Sequence, residues 1–108
     1  MARLDLYVNY EKKASIKLDL PEVVLGRDSH CDVQIPDPRV SRRHAVVRGE
    51  SGTHVIENFG ANGTRVNGDV IDTPRPLAAG DAIFIGSYIL VYQPDEACEE
   101  DPGETLLL

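Results

Sequence analysis

The chain has 108 residues, of which 42% are hydrophobic and 27% are charged, and its formal net charge is −7. This length fits one domain, which buries roughly two-thirds of the surface of the unfolded chain. The sequence has no run of the ~20 apolar residues that a membrane span needs and no apolar signal-peptide core, so it predicts a soluble, cytoplasmic protein without a membrane partner.

The negative charge is concentrated near one end of the chain. Residues 93–108 contain six acidic and no basic residues, so residues 1–92 carry a net charge of only −1. Because general nucleic-acid binding grows with the number of phosphates that a protein neutralises, this balance argues against a nucleic-acid partner. Five arginines between positions 27 and 48 favour instead a small site for one anion. Cys31 and Cys98 are far apart, and a disulfide between them is not expected in a reducing cytosol.

The chain is predicted to be all-β, because no segment of helical length has a 3.6-residue apolar period. Apolar and polar residues alternate over 4–9 and again over 16–20, and the polar residues 11–13 between them are interpreted as a hairpin turn. Further β-like runs are 23–26, 33–35, 45–48, 53–58, 64–66, 82–86 and 88–92. Many short strands at this spacing favour an antiparallel sandwich or barrel.

The strongest local prediction is a hairpin turn at Asn67-Gly68, since this dipeptide supplies the two positive-φ residues of a type I′ turn. Residues 93–108 differ from the rest of the chain. They have no β pattern, carry like charges and include two prolines, so they are predicted to form a flexible tail.

Several short motifs follow one another in a fixed order over residues ~4–92. They are Gly26-Arg27, Cys31-Asp32-Val33-Gln34-Ile35, Val40-Ser41-Arg42-Arg43-His44-Ala45, Asn62-Gly63-Thr64-Arg65-Val66-Asn67-Gly68, Leu77 with Gly80-Asp81, and Ile85-Gly86. In this order and at these spacings they resemble the forkhead-associated (FHA) domain. The resemblance implies a β-sandwich of two mainly antiparallel sheets, about eleven strands in all, with a binding site in loops at one end. It places the FHA domain at 1–92 and leaves 93–108 as an acidic tail.

The resemblance also implies that the loops recognise phosphothreonine in an extended peptide. Arginine suits this anion, since its planar fork of donors meets several phosphate oxygens. By their places in the motifs, Arg27, Ser41 and Arg42 are expected to bind the phosphate, Ser41 through both its hydroxyl and its backbone N–H. The side-chain amide of Asn62 is expected to hold the peptide backbone. Arg43 is expected to be a solvated neighbour.

Other motif residues are expected to support the site without touching the ligand. By resemblance these are Gly26, His44, Gly63 and Thr64, with His44 holding its loop by hydrogen bonds. Many family members carry Ser or Thr just before the matching asparagine, whereas this chain has Ala61, which removes one potential phosphate donor.

Arg39, two residues before Ser41, is hypothesised to favour Asp or Glu at the third residue after the phosphothreonine. The alternative is a solvated surface charge. Three or four charge-assisted contacts, each worth roughly 1.5–3 kcal/mol, must offset the ordering of the peptide. A dissociation constant near the micromolar range is therefore expected.

Two other classes of function fit the sequence less well. A phospho-independent FHA-like scaffold would not need Arg27 or Ser41, and both are present. An enzyme is disfavoured, because His44 beside Ser41 has no orienting acid in the motif, so no catalytic residue is assigned. The histidine and cysteine spacings fit no usual zinc pattern, so neither a metal nor a cofactor is expected.

The expected partners are a phosphothreonine-containing protein or peptide and an upstream Ser/Thr protein kinase. A further hypothesis concerns Thr105, the only threonine in the acidic tail. If phosphorylated, it would bind the chain's own site; the alternative is an unmodified tail.

Overall fold

A computed structural model describes residues 2–50 and 52–94. Within them the chain forms eleven strands and no helix. The strands are β1 Arg3–Val8, β2 Glu11–Lys17, β3 Glu22–Gly26, β4 Val33–Gln34, β5 Ala45–Glu50, β6 Thr53–Asn58, β7 Arg65–Val66, β8 Asp69–Val70, β9 Arg75–Pro76, β10 Ala82–Ile85 and β11 Tyr88–Gln93. None of these residues forms a helix long and apolar enough to cross a bilayer.

The strands form two sheets that pack face to face. The six-stranded sheet has the order β2-β1-β11-β10-β7-β8, and the five-stranded sheet has the order β4-β3-β5-β6-β9. In both sheets neighbouring strands are antiparallel, except β3 and β4, which are parallel. The predicted sandwich of two mainly antiparallel sheets is therefore confirmed.

Alternating burial along the strands builds the core between the sheets. In β10, Ile83 and Ile85 are fully buried, whereas the intervening Phe84 is partly exposed on the outer face. This period of two is what a strand buried on one face requires. The largest fully buried apolar side chains come from both sheets and from the loop before β5: Leu4, Leu25, Ile35, Ile56, Ile83, Ile85 and Leu90.

The turn prediction at Asn67-Gly68 is confirmed, while the one at 11–13 is wrong. Asn67 and Gly68 have φ values of 53° and 95° and join β7 to β8. Residues 11–13 instead begin β2, and the β1–β2 turn is formed by Asn9 and Tyr10, with φ values of 54° and 66°. The polar side chains of 11–13 are exposed because β2 is an edge strand, not because the chain turns there.

The predicted boundary after residue 92 lies one residue before the end of β11, which extends to Gln93. Most of the predicted tail, residues 95–108 with Cys98 and Thr105, lies outside the described residues.

The sandwich brings four connections to one end, here called the rim: residues 26–28 after β3, 36–44 before β5, 59–64 after β6, and the turn 86–87 between β10 and β11. The 36–44 loop contacts each of the other three connections. The rim contains every residue that the motifs predict for the site.

Candidate functional site

Backbone hydrogen bonds extend the pairing of β3 with β5 into the rim. The Arg27 N–H donates to the Ser41 carbonyl at 3.0 Å, and the Asp28 N–H donates to the Arg42 carbonyl at 3.2 Å. Gly26 permits this approach, since a Cβ built there would lie 2.2 Å from the Arg42 carbonyl oxygen. The motif glycine is thus required by close packing of two backbones, as expected for a supporting residue.

The side chain of Arg27 is exposed and held at its base. Its Nε donates to the Val40 carbonyl at 2.9 Å. No other side-chain hydrogen bond or ion pair of Arg27 is found within 2–50 and 52–94. The guanidinium is therefore oriented over the 36–44 loop, with its terminal N–H groups still available to an anion.

Ser41 lies beside Arg27, and its two polar groups are used differently. Its backbone N–H donates to Nδ1 of His44 at 3.0 Å, and its Oγ accepts the Ala61 N–H at 3.1 Å. The expectation that the Ser41 N–H faces a phosphate conflicts with this geometry, because that donor is already occupied. The hydroxyl proton is the group that Ser41 can offer.

His44 is fully buried and connects two of the rim segments. Its Nδ1 accepts from Ser41, so the ring proton lies on Nε2, which donates to the Gly63 carbonyl at 2.8 Å. Both ring nitrogens are thus engaged with the backbone, and neither can take a proton from a nucleophile. Through these two bonds His44 holds the 36–44 loop against the 59–64 loop.

Thr64 is also buried and is anchored to the end of β6. Its Oγ1 donates to Oδ1 of Asn58 at 2.8 Å, and the same oxygen accepts the Gly60 N–H at 3.1 Å. Asn58 completes the loop by donating from Nδ2 to the Gly60 carbonyl at 3.2 Å. Gly63, which lies between Gly60 and Thr64 in the loop, has a φ of 83°.

Asn62 is exposed at the outer edge of the rim. Its Nδ2 donates to the Arg39 carbonyl at 2.6 Å, which joins the 59–64 loop to the 36–44 loop. An amide nitrogen carries two protons, so one donor remains for a ligand, together with the acceptor capacity of Oδ1.

Arg39 is held by a carboxylate of its own loop. Its Nη2 and Nε donate to the two Asp37 oxygens at 2.9 and 3.2 Å, and Nη2 also contacts the Ser87 hydroxyl. These side-chain bonds, with the Arg39 backbone N–H, hold the pKa of Asp37 well below its usual range. Arg39 is therefore neither a free cation nor a simply solvated one.

Arg42 and Arg43 extend outward from the rim. The Arg42 carbonyl accepts a bond from the Cys31 thiol at 3.0 Å, while its side chain is exposed. Arg43 lies over the Phe59 ring, with Cζ 5.4 Å from the centroid. The prediction that Arg43 is merely solvated missed this cation–π contact.

The structure thus brings together all nine residues predicted for the site, on one rim with a surplus of positive charge. The arrangement offers hydrogen-bond donors to an anion and has no group poised for proton transfer. Within the described residues no cluster of three or more His, Cys, Asp or Glu side chains could hold a metal ion.

Sequence reasoning missed four residues that lie in or next to this rim. Asn58 was assigned only to a strand, and Gly60 and Asp37 were given no role in the site. Arg65 was quoted in a motif without a role. The signal for Asp37 was the spacing Asp-x-Arg, which allows a side chain to bond both the N–H and the guanidinium two residues on. Asn58 and Gly60 gave no such local signal.

Comparison with known proteins supports one family. The family model described as FHA domain matches residues 23–86, more than half of the chain. The glycogen accumulation regulator GarA of Mycolicibacterium smegmatis is 41% identical over 76 residues, which are 69% of this chain and 48% of that protein. The oxoglutarate dehydrogenase inhibitor of Corynebacterium diphtheriae is 36% identical over 80 residues, 73% of this chain and 55% of that protein. The chain thus spans about half the length of these relatives.

Solved structures show the same fold. The FHA domain of FhaA, complexed with the intracellular domain of Rv3910, aligns with a TM-score of 0.77 and 26% identity, covering 86% of this chain and 100% of that one. EmbR of Mycobacterium tuberculosis, in complex with a low-affinity phosphopeptide, aligns with a TM-score of 0.76 and 25% identity. The alignment covers 84% of this chain and 24% of that one.

Proposed function

Because this chain belongs to the FHA domain family, we propose that it is a phosphothreonine-dependent peptide-binding module in Ser/Thr kinase signalling. The observation that carries the proposal is the convergence of Arg27, Ser41 and Asn62 on one rim, with their spacing stabilised by the buried His44. These groups are donors arranged for an oxyanion and an adjacent peptide backbone.

The phosphate is expected to lie between Arg27 and Ser41. The Arg27 guanidinium is bonded through Nε to the Val40 carbonyl, and the next residue is Ser41, whose Oγ accepts the Ala61 N–H of the neighbouring loop. The guanidinium and the hydroxyl are therefore anchored at adjacent residues of the 36–44 loop. Arg42 adds a third donor from its exposed side chain. Phosphothreonine carries about −1.5 to −2 charges at neutral pH, which these cations would offset.

Asn62 is proposed to hold the peptide backbone through the donor and acceptor left free by its bond to Arg39. Ala61 cannot add a hydroxyl here, but its N–H orients Ser41. The site therefore retains the proposed binding mode with one donor fewer.

The strength expected of this site is moderate. Three or four charge-assisted bonds at roughly 1.5–3 kcal/mol each, together with the other contacts of the peptide, must offset the ordering of the peptide. We expect a net binding free energy of about 7–9 kcal/mol, which corresponds to a dissociation constant near the micromolar range. No bond is made or broken, so the module reads a mark that a kinase has written, and a cytoplasmic location would give it access to one.

The test is fluorescence polarisation with phosphothreonine peptides from an oriented library. Arg27→Ala is expected to lower affinity at least about 100-fold, since it removes two or more charge-assisted bonds. Ser41→Ala is expected to lower it about 10-fold, as one such bond is lost. Arg75→Ala, an arginine on β9 outside the rim, is the matched control and should change nothing.

Phosphoserine and unphosphorylated peptides complete the experiment. If unphosphorylated peptides bind as well as phosphorylated ones and Arg27→Ala has no effect, the chain is a phospho-independent scaffold and the proposal is wrong.

The tail offers a regulatory extension of the same proposal. If Thr105 is phosphorylated and binds the rim, the phosphorylated full chain will bind added phosphopeptide more weakly than a chain truncated after Gln93. Equal affinities would exclude this self-binding.

A further inference from the structure

A cleft of about 330 Å³ is lined by Asn62, and neither Arg27 nor Ser41 lines it. Asn62 and Arg39 form its wall toward the rim, while Arg65, Val70 and Phe84 come from the six-stranded sheet. A peptide held by Asn62 would therefore place a flanking side chain in this cleft.

The strand register explains the composition of the sheet side. Phe84 of β10 is paired with Arg65 of β7, and Arg65 is paired with Val70 of β8. Their neighbours Ile83 and Val66 are fully buried, so the three side chains lie in one row on the outer face, about 4.8 Å apart from strand to strand. The row has an arginine between two apolar side chains.

The two arginines of the cleft differ in their partners. Arg39 is paired through two hydrogen bonds with Asp37, so its charge is largely balanced. Arg65 is exposed, and no hydrogen bond or ion pair of its side chain occurs in residues 2–50 and 52–94. The unbalanced positive charge of the cleft therefore belongs to Arg65.

We propose that Arg65 determines specificity by selecting a glutamate that flanks the phosphothreonine on the Asn62 side. The carboxylate would pair with the guanidinium, and the two methylene groups would pack against Phe84 and Val70, which favours Glu over the shorter Asp. Arg39 is then a positioning residue. It fixes the loop that carries Ser41, and its own carbonyl accepts the hydrogen bond from Asn62. This inference rests on the proposed phosphothreonine binding and moves the acidic preference from Arg39 to Arg65.

The test measures a ratio of affinities by fluorescence polarisation. Phosphothreonine peptides carry Glu, Asp, Gln, Leu or Lys at each of four positions on either side of the mark. In the wild-type chain, Glu at one position is expected to bind about 3- to 10-fold more tightly than Gln, as a partly desolvated charge pair would give.

Three variants assign that preference. Arg65→Gln, which keeps the stem of the side chain, is expected to reduce the Glu/Gln ratio to below about 2, and Arg65→Glu to make Lys the preferred residue at that position. Arg39→Gln is expected to weaken all peptides by a similar factor and keep the ratio. Arg75→Gln on β9 is the matched control and should leave both affinity and ratio unchanged.

The result that overturns the inference is a Glu/Gln ratio that survives Arg65→Gln, or one that disappears only in Arg39→Gln. A wild-type chain without acidic preference, or with Leu preferred to Glu, overturns it as well. Failure of the underlying function is distinguishable, because phosphorylated and unphosphorylated peptides would then bind alike in every variant.

Discussion

Two glycines at the rim and three at turns away from it meet different physical demands. At the rim, a Cβ on Gly26 would lie 2.2 Å from the Arg42 carbonyl oxygen, and one on Gly60 would lie 2.4 Å from two atoms of the His44 ring. Away from the rim, Gly52, Gly68 and Gly80 have positive φ, and a Cβ there would meet nothing within 4 Å. At Gly26 and Gly60 the rim is constrained by contacts between distant segments, whereas the turns at Gly52, Gly68 and Gly80 are set by local backbone conformation.

Buried polar residues follow the same division. Of the four polar or charged residues buried among those described, Asp37, His44 and Thr64 belong to the rim, and only Asp5 lies elsewhere, under Arg3 and Ser15. Burying such groups is tolerated only when they are hydrogen-bonded, and each of these is. The rim is therefore preorganised before any ligand arrives.

Among the glycine substitutions, Gly26→Ala is expected to lower the free energy of unfolding most. The new methyl group would collide with backbone, which cannot rotate away, so the 26–28 and 36–44 segments must separate. We expect a loss of about 3 kcal/mol in the free energy of unfolding, as for severe overpacking. Urea denaturation measures this, and peptide affinity should fall with it because Arg27 and Ser41 move apart. A fully stable Gly26→Ala variant with wild-type affinity would contradict the crowding argument.

Gly60→Ala is expected to have the next largest effect, about 2 kcal/mol in unfolding free energy. Here the obstacle is the His44 ring, which two hydrogen bonds hold in place. A double-mutant cycle tests the cause: in a His44→Ala background the ring is absent, so Gly60→Ala should cost little. Additive losses in the cycle would show that something other than the ring opposes the methyl group.

Gly68→Ala is the matched variant away from the rim. Gly68 has a φ of 95°, and a Cβ there would meet nothing within 4 Å. The substitution should therefore lower the free energy of unfolding only by the strain of an L-residue in this conformation, about 1–2 kcal/mol. Phosphopeptide affinity should be unchanged, measured on folded protein well below the urea midpoint. A loss of affinity would show that the two ends of the sandwich are coupled.

This division also explains what the sequence could predict. The Asn67-Gly68 turn and most strands were predictable because their signals are local: a turn dipeptide and a period of two. Arg27, Ser41 and His44 were found through motifs, which record their spacing along the chain. The Asn58–Thr64 bond was not, because it depends on which rotamers the folded loops allow. The Asp37–Arg39 ion pair was missed although its spacing along the chain is a local signal. The turn predicted at 11–13 was wrong for a related reason. These residues are polar because β2 lies at the edge of its sheet, and that position depends on the whole fold and not on the local sequence.

The smallest effect is predicted for the β1–β2 turn, where positive φ occurs without glycine. Tyr10 has a φ of 66° and is 96% exposed, so its ring contributes almost no packing. Tyr10→Gly would relieve backbone strain of about 1–2 kcal/mol in the folded state. The greater freedom of glycine in the unfolded chain would offset about 0.5–1 kcal/mol of this gain. A net stabilisation of about 0.5 kcal/mol is expected from urea denaturation, with affinity unchanged. Destabilisation by Tyr10→Gly would mean that the turn, like the rim, depends on contacts and not on local conformation alone.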